Sequence, residues 1–401
     1  MRIAILHPSL TWRGGAERQL LILATELQRA GHEIEVFTCT LNDQCFPELA
    51  NKLAINVVQA PFVQAMPSGT SKRTFSTRLA GRFRGYTVDL PSMFYLAKKI
   101  PKGFDLINNH NAPTEWAAFF AKRKLDAPIV WTCNEPPFWF SDAKQRTGLG
   151  KINLPLYELF DRTAVNYIDE IVSNSSADSV RIQKAYGRSS HIVRPGISTA
   201  LLHKVSGNDI RSKYGLEKDF VLLQVANIAS DKKQSDSITA LHYLSKKFEN
   251  IKLILVGQGP REDLIALSKK LGVDKKVLFL KDCSDEELAD VYAACDVFVF
   301  PAEITWGLVV IEAMAVSKPV VVSKKAGVSE IIRHGENGFV FDQPNPNNMA
   351  ALIEQLIVDS ELRRRVGVNA YQYTKNNQSW DVYAKKMETV FQKTIQSYKN
   401  R

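Results

Sequence analysis

The stretch Phe300–Ala315, FPAEITWGLVVIEAMA, carries the residues of this chain best spaced for chemistry. Val297–Phe300 form a short apolar run of the kind a strand covered on both faces shows. Pro301 ends it. Gly307 lets the backbone approach whatever lies above the strand, and from Leu308 the apolar residues Ile311, Met314 and Ala315 fall on one helical face. A helix starting there aims unpaired N–H groups and the positive end of its dipole past the strand's carboxyl edge, a place for a phosphate. Glu312, in the first turns, suits sugar or ribose hydroxyls. The plainer alternative is an ordinary strand–loop–helix unit with Glu312 facing water.

Four further groups stand at similar places. The lysines Lys232 and Lys233 follow a buried strand ending at Val225, with Asn227 between, and supply a cation or a solvated pair. His110 closes the strand-like FDLINNH and is placed either to touch a sugar hydroxyl or to serve the core. Gly14 and Gly15 lie in the loop before an amphipathic helix carrying Leu20, Leu23, Ala24 and Leu27, where a glycine pair admits a ligand or simply makes a turn. Asn134 and Glu135 follow the strand-like APIVWTC, and Glu135 suits acceptor hydroxyls or a salt bridge.

Elements must position these groups, and 401 residues suffice for two domains with a core in each. With 45% hydrophobic and 23% charged residues the chain is an ordinary globular one. No run approaches the ~18 apolar residues of a membrane span, and Met1-Arg2-Ile3 opens on a strand rather than a leader, so a cytoplasmic protein is expected. Five scattered cysteines, without C-x-x-C spacing, point to buried thiols rather than disulfides or zinc. A net charge of +10 fits nucleic acid, an anionic membrane or an anionic substrate. Nucleic-acid motifs are missing, which makes that partner the weakest. The segment 72–84 interleaves Lys72, Arg73, Arg78, Arg82 and Arg84 with Phe75, Leu79 and Phe83, a basic amphipathic pattern suited to an anionic membrane surface or to a solvated helix.

Strands at 2–7, 34–37, 104–111, 127–133, 220–225, 251–256, 277–280 and 297–300 alternate with helical patterns in two halves. A last helical stretch runs over about 347–398. The alternation predicts two doubly wound parallel sheets with ligands received between them. No G-x-G-x-x-G fingerprint supports a nicotinamide cofactor.

The motif W-G-L-V-V-I-E-A-M-A, Trp306 to Ala315, resembles the signature of retaining glycosyltransferases of family 4 (group 1), E-x-F-G-L-x-x-x-E-A-M-A. Gly-Gly-Ala-Glu-Arg after the first strand, Arg194-Pro195-Gly196, Gly257-Gln258-Gly259-Pro260 and the Gly327, Glu330, Gly335, Gly338 pattern extend the resemblance along almost the whole chain. It departs at Ile304, where the first signature glutamate stands in the family and Glu303 lies one residue early. It departs also at Asn227, in place of a diphosphate-clamping arginine, at Ser198 in the linker, and at Asn134, where histidine is frequent.

The resemblance implies a GT-B architecture. Residues 1–197 would bind the acceptor and 198–384 the nucleotide-sugar donor, with a terminal helix of about 385–401 packing back on the first domain. It implies donor contacts from Gly14, Gly15, Asn227, Lys232, Lys233, Trp306, Gly307, Leu308, Val309 and Glu312, and acceptor contacts from Asn134 and Glu135. It gives catalytic roles to His110, to Lys233, whose register Asp236 favours, and to Glu303 if its loop is shifted by one residue. No metal and no cofactor beyond the nucleotide sugar is implied. The expected reaction is retaining transfer of a hexose from a UDP- or GDP-sugar to a glycan or lipid-linked acceptor in cell-surface polysaccharide assembly, with possible attachment to the inner face of the membrane. The alternative is a binding or scaffold protein of the same fold with an impaired site. A nucleotide-sugar 2-epimerase lacks supporting motifs.

Overall fold

The computed structural model describes residues 1–11, 13–59, 89–122, 124–134, 154–197, 207–281, 283, 285–304 and 306–401. Glu135, the basic segment 72–84 and Ser198 lie outside the described residues. The chain forms two compact units, Met1–Arg194 with Tyr383–Arg401, and Pro195–Val382.

The first unit alternates strands and helices: β1 (Arg2–His7), α1 (Gly15–Arg29), β2 (Glu33–Thr38), the short α2 (Pro47–Ala50), β3 (Ala54–Val57), α3 (Leu90–Lys99), β4 (Leu106–His110), α4 (Glu115–Ala121), β5 (Ile129–Cys133), α5 (Leu154–Val165), β6 (Glu170–Ser173), α6 (Ser176–Tyr186) and β7 (His191–Ile192). Its strands pair in parallel in the order β3-β2-β1-β4-β5-β6-β7. The order reverses between β1 and β4, the point at which doubly wound sheets receive ligands beyond their carboxyl ends.

The second unit runs α7 (Asn208–Tyr214), β8 (Phe220–Val225), α8 (Gln234–Ser245), β9 (Ile251–Val256), α9 (Glu262–Lys270), β10 (Val277–Leu280), α10 (Asp285–Ala294), β11 (Val297–Phe300), α11 (Leu308–Ala315), β12 (Val320–Ser323), β13 (Phe339–Phe341), α12 (Pro346–Val358) and α13 (Ser360–Asn377). Its parallel order is β10-β9-β8-β11-β12-β13, with the switch between β8 and β11. A last helix, α14 (Trp380–Lys399), begins in this unit, and its residues from Tyr383 belong to the first.

The apolar runs explain the layering. Alternate side chains of one strand enter two different cores: Val221, Leu223, Phe298, Phe300, Val320 and Val322 join Ile311 and Met314 of α11. Leu222, Val297, Val299 and Val321 join Ile238 and Leu241 of α8 and Leu352 and Ile353 of α12. Both faces of the sheet are therefore buried, as parallel pairing requires. In the first unit Leu6, Ile107, Ile129, Trp131 and Ile171 pack under α3, α4 and α5.

The helical stretch expected over about 347–398 consists of three helices. Asp359 breaks it and caps α13 by accepting from the N–H of Leu362. Ser379 breaks it again, its Oγ accepting from the N–H of Val382. Ser, Asp and Asn compete with helical hydrogen bonding, which is why they restart a helix here.

Gly257 fixes the frame around the second switch point. Its φ is +149°, and a Cβ there would collide with the carbonyl oxygen of Ala226 in the neighbouring loop. Gly257→Ala is expected to destabilise the second unit by about 1–3 kcal/mol, read as a lowered urea midpoint; an unchanged midpoint would show that the two loops do not press on each other.

Candidate functional site

Loops beyond four adjacent strands of the second unit are joined by main-chain bonds. The N–H of Ile228, after β8, donates to Gln258 after β9 at 2.7 Å. The N–H of Glu303, after β11, donates to Asp231 after β8 at 2.8 Å, and that of Gly327, after β12, donates to Ile304 at 2.9 Å. Gln343 after β13 is buried and donates to the carbonyl of Pro301. The sequence thus brings the Lys232–Lys233 loop and the Gly307 loop together at the switch point.

Between them, the two lysines differ. Lys232 is paired with Asp231 at 2.5 Å. Lys233 has no ion pair or side-chain hydrogen bond among the described residues, and its backbone is left-handed, φ +53°. A long side chain in that conformation is uncommon and is held by its surroundings. Gln234 anchors the turn by donating to Asn227's carbonyl at 3.0 Å, and Asn227 itself is exposed.

Gly307 is the N-cap of α11, with φ +149° and no side-chain cap, and the first turn holds no acidic residue. A Cβ on Gly307 would lie 3.1 Å from Phe300 and from Val328. The N–H of Val310 is the first to find an acceptor, the carbonyl of Gly307 at 3.1 Å. Those of Leu308 and Val309 have none among the described residues. Such an end is an anion site in waiting. Trp306 is buried in the core below, its indole N–H without a partner. Glu312, one turn in, is 8% exposed, and Tyr292 of α10 donates to its Oε2 at 2.7 Å. That phenol fixes the carboxylate's direction; the tyrosine's role is invisible until α10 and α11 are seen side by side.

The two candidates at the displaced signature position diverge. Ile304 packs on the apolar core. Glu303 points outward into an ion pair with Lys325 at 2.7 Å, both half-exposed. Exposed pairs of this kind are weak and exchangeable.

The first unit's switch point carries His7 at the end of β1 and His110 at the end of β4, both buried. Asn108 donates to the carbonyl of Val130 at 3.1 Å and to the hydroxyl of Thr132 at 3.0 Å, so its oxygen must accept from His110 Nε2 at 2.7 Å. The His110 proton is therefore on Nε2, and Nδ1 is a bare acceptor, buried and without a partner among the described residues. A hydroxyl that met it would have to donate.

Asn134 is one rung of a buried amide series. Its amide is bonded to that of Asn111 at 2.8 Å and to that of Asn174 at 3.0 Å. The Asn111 amide meets His7 Nε2 at 3.1 Å, while the Gln19 amide of α1 meets that of Asn174 at 3.2 Å and the hydroxyl of Tyr383 of α14 at 2.7 Å. Both ends of the Asn134 amide are thus engaged within the unit. Sequence reading found Asn134 and missed the rest, because the rungs come from β1, β4, β5, β6, α1 and α14.

Gly14 caps α1 as Gly307 caps α11, again with no side-chain cap, and Gly15 is exposed. The difference is Glu17, whose carboxylate folds back over the turn so closely that a Cβ on Gly14 would strike it. A carboxylate three residues into a helix commonly serves the cap in this way. The α1 end already carries a negative charge and is the poorer place for a phosphate.

Among the described residues, no group of three or more His, Cys, Asp or Glu could hold a metal, and no helix is long and apolar enough to cross a membrane.

Two parallel sheets of this strand order, each with a ligand-type switch point, define the GT-B fold class. Solved structures of that class match over nearly their full length: Anabaena Alr3699/HepE in complex with UDP and glucose (TM-score 0.75, 21% identity, 98% of this chain and 100% of that one), and WaaG, a glycosyltransferase involved in lipopolysaccharide biosynthesis (TM-score 0.73, 21% identity, 97% and 99%). Residues 207–373 match the family described as Glycosyl transferases group 1, and residues 13–201 match Glycosyltransferase Family 4. The chain belongs to this family and is a glycosyltransferase of the group 1 type. Among its relatives are the D-inositol 3-phosphate glycosyltransferase of Corynebacterium efficiens, 26% identical over 98% of this chain and 95% of the relative, and the putative glycosyltransferase EpsD of Bacillus subtilis, 32% identical over 54% and 58%.

Burial lowers His7 from the ordinary 6.5 to about 4, and burial with the neighbouring His7 lowers His110 to about 3. Unfolded imidazoles take up protons below about pH 6.5, whereas the folded ones do not until these lower values. The unfolded state therefore binds more protons across that interval, and stability must fall as pH drops through it. Urea midpoints are expected to decline from pH 6.5 towards pH 4, with a shallower decline in His110→Gln; equal slopes would show that His110 does not fold neutral.

Proposed function

We propose that the protein transfers a hexose from a nucleotide sugar, UDP- or GDP-linked, to a glycan or lipid-linked acceptor, with retention of configuration and without a metal. The observation that carries this is the open N-terminus of α11, uncapped at Gly307 and free of acid, with its loop bonded to the one carrying Lys233, a lysine that has no ion pair among the described residues. A diphosphate there meets the N–H groups of Leu308 and Val309 and the Lys233 ammonium. Glu312, held by Tyr292, takes ribose hydroxyls. Trp306 and Asn227 border the same loops. The UDP and UDP-glucose complexes of the Anabaena neighbour support this donor class.

In the reaction, the bond between the sugar's anomeric carbon and the phosphate oxygen breaks, and the acceptor oxygen bonds to that carbon on the same face. The acceptor's proton passes to the departing phosphate oxygen. Charge grows on the diphosphate as it leaves, so the fixed dipole and Lys233 act mainly in the transition state. His110 Nδ1 accepts from a sugar hydroxyl. WaaG is described as involved in lipopolysaccharide biosynthesis, and the Corynebacterium efficiens relative is named a D-inositol 3-phosphate glycosyltransferase. A surface-glycan context for this chain rests on analogy with the family, and membrane attachment through the basic segment 72–84 rests on the net charge of +10 and that segment's pattern.

A second reading, a nucleotide-sugar-binding protein with impaired transfer, is favoured by Ile304 on the core and Glu303 tied to Lys325. A panel of UDP-glucose, UDP-N-acetylglucosamine and GDP-mannose, followed for hydrolysis and nucleotide release, separates the two. Glu312→Ala is expected to weaken nucleotide-sugar binding, and Lys233→Ala to lower turnover roughly tenfold to a thousandfold. Unchanged kinetics in both variants would refute the first reading; nucleotide binding with no turnover would establish the second.

A further inference from the structure

The amide series of the first unit contains a conflict that has one resolution. Nδ1 of His7 faces the backbone N–H of Ser9 at 3.3 Å, and Nε2 faces the Asn111 amide nitrogen at 3.1 Å. A neutral imidazole has one N–H and one acceptor, so it cannot accept at both nitrogens, and an imidazolium accepts at neither. Burial keeps this ring neutral down to about pH 4. A backbone N–H cannot be reversed, but an amide exchanges its oxygen and nitrogen by a half turn. Nδ1 is therefore the acceptor, Nε2 carries the proton, and Asn111 presents oxygen to it.

That reversal propagates. Asn111 then donates to Asn134, Asn134 to Asn174, and Asn174 to Gln19, because no other bond among the described residues ties either amide end of these three asparagines. Gln19 becomes the terminal acceptor, its oxygen receiving both the Asn174 amide and the Tyr383 hydroxyl, which burial keeps protonated. In the opposite sense one Gln19 nitrogen donates twice and its oxygen receives no bond. Gln19, Asn134, Asn174, His7 and Tyr383 are each at most 5% exposed and Asn111 is half-buried, which limits the access of water to the series.

We propose that Gln19 and Tyr383 are positioning residues that act through a one-way hydrogen-bond chain, Asn174–Asn134–Asn111, on the Nε2–H form of His7 at the first switch point. The chain couples α14 to the loop that follows His110. Its direction is fixed by the Ser9 N–H, and the tyrosine hydroxyl, able to donate or accept, follows it at the other end.

The test is a long-range proton–nitrogen correlation spectrum of the 15N-labelled full chain, with His7 assigned from the signals lost in His7→Asn. The unmodified protein is expected to show His7 as the Nε2–H tautomer. Gln19→Leu is expected to shift the His7 ring nitrogens from across the unit. Gln19→Glu, which keeps the terminal acceptor, is expected to leave them near their original positions, as is the control Thr25→Val on the same helix. An Nδ1–H tautomer in the unmodified protein overturns the proposal, and needs no variant to fold. So do His7 signals unmoved by Gln19→Leu, or a Gln19→Glu spectrum like that of Gln19→Leu, which would mean that Gln19 donates.

Discussion

A helix that begins on glycine has no side chain to cap its first N–H groups, and at α11 those of Leu308 and Val309 meet no acceptor among the described residues. At α11 the core below is apolar and continuous, so the helix start cannot sink to find a carbonyl. The cap has no side chain and the first turn has no acid. The surrounding loops spend their own main-chain groups on each other rather than on that turn. Unsatisfied donors of this kind are costly unless solvent or a ligand meets them. The first unit has the same strand order with one strand more and the same glycine start at α1, but there the Glu17 carboxylate folds back over the turn. The contrast is between a helix start that carries its own carboxylate and one that does not.

Rigidity around the site comes from different sources in the two units. In the second, backbone contacts set the geometry: Gly257 against Ala226, Glu303 against Asp231, Gly327 against Ile304. In the first, side-chain amides do so, running beyond the ends of β1, β4, β5 and β6. Buried amide networks are stable only when each donor meets an acceptor, which makes their direction a structural property in its own right.

Much of this was legible in the sequence, for a physical reason. Parallel strands buried on both faces must be written as apolar runs, and β1, β8, β9 and β11 were read directly from theirs. The glycine start of α11 was equally plain, because its chemistry is local: glycine, then helix periodicity. Lys233 could be chosen over Lys232 only through a motif register. The structure supplies another distinction, since Lys232 is occupied by Asp231. What stayed hidden depends on contacts distant in sequence. Tyr292 lies twenty residues before the carboxylate it holds, and Gln19 meets Asn174 and Tyr383 across most of the chain. The breaks at Asp359 and Ser379 are made by capping oxygens that act over three residues.

The stitching of the second unit's loops by peptide groups has an evolutionary consequence. A bond from the N–H of residue 303 or 327 to a carbonyl does not depend on which side chain stands there, so long as it is not proline. Replacements such as isoleucine at 304 or asparagine at 227 can then accumulate without dragging the loops apart. Drift in the lining is thereby separated from drift in the scaffold, and lineages descended from one ancestor can try new sugars on an unchanged frame.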